Sequence, residues 1–193
     1  MLIHDITKHL NTIKQLSENK DSNITQYISE IVDDFNIMNP IDYCNNPTVN
    51  LITHRYYEIC KKNNINFTIS IKNANIDFIK EHDITALLDN LLENAVESAL
   101  MTNEKFIDFS ISTRNSNFVI IKISNSCNKK PKYIDGTLVS SKSTSGMHGI
   151  GTRSIKRVVE KYNGNLEMKF DNDTKTFTSV IGINSNLPSN NQS

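Results

Sequence analysis

Apolar residues return every three or four positions over 2–19, where Ile3, Ile6, Leu10, Ile13 and Leu16 share a face. They do so again over 23–37 with Ile24, Ile28, Ile31 and Phe35, which predicts two helices joined by a turn at NKDSN. MNPIDYCNNP, with two prolines among its asparagines, reads as a linker. Beyond it the pattern predicts a helix at about 48–62, a strand in NINFTISIKN and a helix at about 81–102. KFIDFSISTR and NSNFVIIKISN follow as strands on either side of a short polar turn that fits a hairpin. Periodicity then lapses from Ser126 to Met147, returns as a helix at about 151–163, and ends in strands NLEMKF and TKTFTSVIGI around the turn DNDT.

This order predicts an α+β chain in which helices pack on one face of a mixed sheet. Residues 1–38 form a helical hairpin, 39–47 the linker, 48–184 the main domain and 185–193 an untethered tail. So short a hairpin cannot close a core of its own, and its apolar stripes predict dimerisation as a four-helix bundle or docking on the rest of the chain.

Composition narrows the classes. With 193 residues and 37% hydrophobic content, a core forms without disulfide staples. Cys44, Cys60 and Cys127 are widely spaced, with no CxxC and no histidine cluster, which fits a reducing cytoplasm and argues against structural zinc. Lys plus Arg and Asp plus Glu both total 21, so no global field draws the chain toward nucleic acid or an anionic membrane. No run of 18 apolar residues occurs, and MLIHDITKHL lacks the apolar core of a signal peptide. The expectation is a cytoplasmic chain without membrane contact, or the cytoplasmic part of a longer membrane sensor.

Candidate chemistry starts in DNLLENAVESAL. On a helix Asn90, Asn94 and Glu97 make a polar stripe beside the apolar surface of Leu87, Leu88, Leu91, Leu92, Ala95 and Val96. An amide stripe at the edge of a buried face is costly unless something satisfies it. The Asn94 side-chain carbonyl suits a hard cation, above all Mg²⁺, whose remaining ligands come from nucleotide phosphates and water; Asn90, one turn earlier, can bond phosphate, water or ribose. Glu97 serves either to orient a metal-bound water or simply as an exposed helix carboxylate.

The second half of the signal is GMHGIG. Gly146, Gly149 and Gly151 permit backbone conformations that let several N–H groups converge on one anion, at the positive end of the following helix. His148 contributes through its backbone N–H, which needs no particular protonation state. The run matches neither GxxxxGK[ST] nor a dinucleotide GxGxxG, so it reads as a phosphate turn of another kind.

In this order, LDNLLENA, HGIG and the helix containing IKRVVEKYNG resemble the ATP-binding domain of sensor histidine kinases, in the gyrase, heat-shock-protein, histidine-kinase and mismatch-repair superfamily. HDITKHLNTI and YCNNPTVNLITHRYYEICKKNNINF are similar to the peptide-sensing, accessory-gene-regulator type of kinase. The resemblance covers roughly residues 3–184. It implies a two-layer α/β sandwich with a nucleotide lid, preceded by a dimerising helical hairpin. It further implies ATP and Mg²⁺ binding, a homodimer, and phosphotransfer to the aspartate of a response regulator.

Carried over by position, the phosphoacceptor is His4 and its neighbouring acid Asp5; imidazole can attack the γ-phosphorus while the carboxylate fixes its tautomer or takes its proton. ATP binding falls on Asn90, Asn94, Asn125, Gly146, His148, Gly149 and Gly151, with Asn94 the metal ligand. Superfamily ATP hydrolases carry Glu where Asn90 stands, and an amide cannot activate water as a base, which favours transfer over hydrolysis. Three features depart from the pattern: NSCNK at 125–129 replaces DxGxG, Lys8 replaces an amide, and Thr152 replaces leucine after HGIG. Lys129, Lys130, Lys132 and Lys142 stand in the lid segment as candidates to meet triphosphate charge. The alternative is an ATP-binding regulatory or protein-interaction module without autokinase activity.

Overall fold

The computed structural model describes residues 11–17, 24, 27, 43–72, 74–115, 117–128, 132–134, 137–139 and 150–186. The chain divides into two compact units, 1–40 and 41–193. In the first, residues 11–17, Ile24 and Tyr27 are helical.

 The rest of the two helices expected over 2–19 and 23–37, with His4, Asp5 and Lys8, lies outside the described residues.

The second unit opens with helix α1, Pro47–Lys62, for clear local reasons. The Asn46 side chain at its N-cap accepts a hydrogen bond from the Val49 N–H at 3.0 Å, Pro47 takes the first turn, and Lys61 and Lys62 complement the dipole in the last. Strand β1, Asn66–Lys72, is followed by helix α2, Glu81–Leu100, and the hairpin of β2, Phe106–Arg114, with β3, Phe118–Ser126. Where the sequence pattern lapses, two short strands pair: β4, Lys132–Ile134, and β5, Thr137–Val139. Three residues each is too short for period-two alternation to register in the sequence. Helix α3, Ile150–Lys161, and the hairpin of β6, Asn165–Asp171, with β7, Thr176–Asn184, complete the unit.

The main sheet has the order β1-β2-β3-β7-β6, with β1 and β2 parallel and the other pairs antiparallel. A parallel pair needs a crossover, and α2 provides it. One sheet face presents Ile107, Phe109, Ile111, Val119, Ile121, Ile123, Ile181 and Ile183, all buried in one core with residues of α2, such as Leu88 and Leu92, and of the last helix, such as Ile155 and Val159. The alternate positions Thr68, Asp108, Lys122, Glu167 and Lys169 are exposed, so the domain is a two-layer sandwich with helices on one face. Among the described residues no helix is long and apolar enough to cross a membrane.

The abundant asparagines are used where the chain reverses. Asn64, after α1, Asn115, in the β2–β3 turn, and Asn163, after α3, all have positive φ, a region that asparagine tolerates better than most side chains.

One polar tie joins the far ends of α2 and α3. Lys80, at the α2 N-cap, offers no capping side chain, and its N–H instead donates to the Tyr162 hydroxyl at 2.9 Å. That hydroxyl donates to Asp83 at 2.7 Å, and Lys161 Nζ donates to the same carboxylate oxygen at 2.6 Å. Burial acts to raise the Asp83 pKa, but the hydrogen bonds from Lys161 and Tyr162 outweigh it and hold the carboxyl below its ordinary 3.8. Burial foremost, with the adjacent carboxylate, pushes Tyr162 up to about 12. Replacing Asp83 with alanine is expected to cost about 2–3 kcal/mol in urea unfolding, because it strands a partly buried ammonium and a hydroxyl. Since the folded pKa is depressed, this contribution is complete above the unfolded value and is lost as pH falls through the folded one. The gap between the two proteins should therefore be constant near neutrality and close below about pH 4.

Candidate functional site

Helix α2 carries both amides predicted for the site. Its apolar stripe is buried against the sheet, which leaves Asn90 half-buried at the edge and Asn94 exposed one turn on. Asn90 Nδ2 donates back to the Ala86 carbonyl at 2.5 Å, so the side chain is held within its own turn. Its Oδ1 lies against the start of α3: a methyl group on Gly151 would come within 2.7 Å of that oxygen. The middle of the asparagine helix and the end of the glycine run therefore meet, and no larger residue fits between them undisturbed.

That contact separates binding from stability. Gly151→Ala puts alanine into the first turns of a helix, where it is favoured by up to about 1 kcal/mol over glycine, yet it must displace Asn90 Oδ1. The expected result is an unfolding midpoint equal to or above that of the unaltered protein, with nucleotide affinity about tenfold weaker, read by thermal unfolding and calorimetric titration.

Asn125 is buried near the end of β3, in line with Val119, Ile121 and Ile123, and so on the helix-facing side of the sheet. Its Nδ2 donates to the Ser126 carbonyl at 2.8 Å. Ser98 Oγ, from the last turns of α2, donates to the same carbonyl at 3.1 Å and ties the helix to this end of the strand. Cys127, where the related pattern has a glycine-rich turn, is buried, and its N–H donates to the Lys175 carbonyl at 2.7 Å. The chain thus leaves β3 hydrogen-bonded to the β6–β7 turn. Thr152 is buried in the first turn of α3.

Asn90, Asn94 and Asn125 thus stand on the elements the sequence predicted, and Gly151 meets Asn90 directly. Gly146, His148 and Gly149 lie outside the described residues, as do Lys129, Lys130 and Lys142; Lys132 is described as backbone in β4. Sequence reasoning passed over Asp83 and Tyr162, because nothing in either segment announces a contact across 79 positions. It passed over Arg55 and Asp89 for the same reason: their ion pair joins α1 to α2.

Residues 79–183 match the model of the GHKL domain. The chain belongs to the GHKL-domain family. The matched span runs from just before the asparagine helix to the end of β7, and so takes in every ATP-site residue proposed from the sequence. This GHKL chain is 29% identical over 112 residues to a probable C4-dicarboxylate sensor kinase of Bacillus subtilis (strain 168), covering 54% of this chain and 20% of that protein. It spans about a fifth of that curated relative. Among solved structures, the catalytic domain of histidine kinase ThkA superposes with a TM-score of 0.56 at 19% identity, covering 77% of this chain and 99% of the other. Acinetobacter baumannii histidine kinase AdeS gives 0.52 at 12% identity, covering 95% and 98%. At such identities these likenesses show the fold, a GHKL sandwich with helices on one side of a mixed sheet.

Proposed function

We propose that this GHKL chain is the catalytic region of a histidine protein kinase, of the peptide-sensing, accessory-gene-regulator-like type, which binds ATP with Mg²⁺ and phosphorylates His4. The observation that carries the reading is the approach of Gly151 to Asn90, which gathers an amide-bearing helix and a helix N-terminus about one place. The residues fit the ion: Asn94 offers an exposed side-chain carbonyl, a hard oxygen donor of the sort Mg²⁺ takes alongside phosphates and water. When bound, Mg²⁺ would offset triphosphate charge.

The chain's own groups divide the remaining work. Asn90 positions phosphate or water without acting as a base, and the main-chain N–H groups of Gly146, His148, Gly149 and Gly151 receive the phosphates. Asn125, on the helix-facing side of β3, meets the base with an amide. His4 supplies the nucleophilic nitrogen, and Asp5 fixes its tautomer or accepts its proton. Residues 1–38 form the dimerising hairpin and 39–47 its linker to the ATP-binding domain; the phosphoryl group then passes to a response-regulator aspartate.

The test is incubation of the purified chain with Mg²⁺ and γ-labelled ATP. Acid-labile, base-stable label is expected on the unaltered protein and none on His4→Gln. Label that persists after the His4 change removes that residue from its role. ATP binding with no label on either protein would replace the kinase with a nucleotide-binding regulatory module.

A further inference from the structure

Helix α1 touches α2 at the residue immediately before Asn90. The Tyr56 hydroxyl donates to the Asp89 carbonyl at 3.1 Å, and the Arg55 guanidinium is ion-paired with the Asp89 carboxylate. The guanidinium also lies over the Tyr56 ring, 5.1 Å from its centre, so the two α1 side chains brace each other. The turn 86–90 is therefore gripped from two sides: α1 holds Asp89, and Gly151 abuts Asn90, whose own amide is bonded back to Ala86.

The N-terminal end of α1 is tied to the chain that leads into it. Asn50 Oδ1 accepts from the N–H groups of Tyr43 at 3.0 Å and Cys44 at 2.9 Å, and Asn50 Nδ2 donates to the Cys44 carbonyl at 2.7 Å. Asn46, the α1 N-cap, reaches across to Asp77 at 3.1 Å. The final residues of the 39–47 segment thus run along α1 as one hydrogen-bonded piece with it. Through these bonds a shift of residues 43–46 would act on the helix that bears Arg55 and Tyr56.

We propose that Arg55 and Tyr56, through Asp89, are positioning residues that make the placement of Asn90 depend on α1 and hence on the incoming segment at 43–46. The inference rests on the nucleotide-binding reading of Asn90 and Asn94. It adds a route by which whatever precedes residue 43 adjusts nucleotide affinity, without any group outside the domain entering the site. Arg55 is half-exposed and Asp89 partly so, so their pair adds little to stability; its consequence is geometric.

The test compares Mg²⁺·ATP affinity by calorimetry in the unaltered chain, Arg55→Ala/Tyr56→Phe, Arg55→Lys and Asn94→Ala, with hydrogen exchange of the nucleotide-free proteins. The double variant is expected to bind about fivefold more weakly, with faster exchange confined to the α2 amides around 89–94. Arg55→Lys, which keeps the charge, should stay within about twofold of the unaltered protein. Unchanged affinity in the double variant, while Asn94→Ala abolishes binding, overturns the inference and leaves the site intact. Faster exchange throughout the sheet would make the pair a structural brace and overturn it too. Failure of the unaltered chain to bind removes the nucleotide reading, and the inference with it.

Discussion

Replacing Asn94 with alanine is expected to weaken Mg²⁺·ATP binding by about 100-fold or more while leaving the unfolding transition where it is. The side chain is exposed on α2, in a helix interior where alanine is the better former, so the folded state loses nothing of consequence. What disappears is an oxygen donor to a cation that itself bridges phosphates. Loss of a mere supporting partner of a metal ligand costs 10–100-fold, and loss of the ligand should cost at least as much. Calorimetric titration with ATP and Mg²⁺, beside a thermal melt without nucleotide, checks both halves. Affinity retained within a few-fold would end the assignment of Asn94 as the metal ligand.

The opposite outcome is expected two residues earlier. Leu92 is fully buried in the core between α2 and the sheet, and truncation to alanine leaves a cavity that a sheet-backed site cannot collapse to fill. A loss of about 3–5 kcal/mol in urea unfolding should follow, with the folded fraction still binding nucleotide at close to its original affinity. Gradual loss of affinity with no change in the unfolding midpoint would contradict the division of α2 into an apolar face and an amide edge. Together the two variants separate what holds this helix from what it holds.

Much of that division was legible beforehand because both periodicities are local. Leu87, Leu88, Leu91, Leu92 and Ala95 recur at helical spacing, and Val119, Ile121 and Ile123 alternate, so each element's buried face followed from its own residues. Cap chemistry is equally local, although the sequence reading assigns Asn46 and Pro47 to the linker: they form the N-cap and first turn of α1. The β4–β5 ladder was not legible, since three residues per strand carry no period. Nor was the tie from Lys80 through Tyr162 to Asp83, because α2 shows an N-terminus without a capping side chain and gives no hint that a tyrosine just past the end of α3 supplies the partner.

For the candidate site, chain order alone established which residue types are present: amide oxygens on one helix and a glycine run before another. Their meeting depends on packing. Asn90 and Gly151 are 61 positions apart, and they touch because α2 and α3 lie side by side on the same face of a sheet whose order, β1-β2-β3-β7-β6, is not the order of the chain. The same holds for Arg55, Tyr56 and Asp89, whose pairing joins two helices separated by a strand. Helix and strand patterns arise from contacts a few residues apart, so they are written along the chain; the distance between two side chains on different elements is set by how the whole core closes.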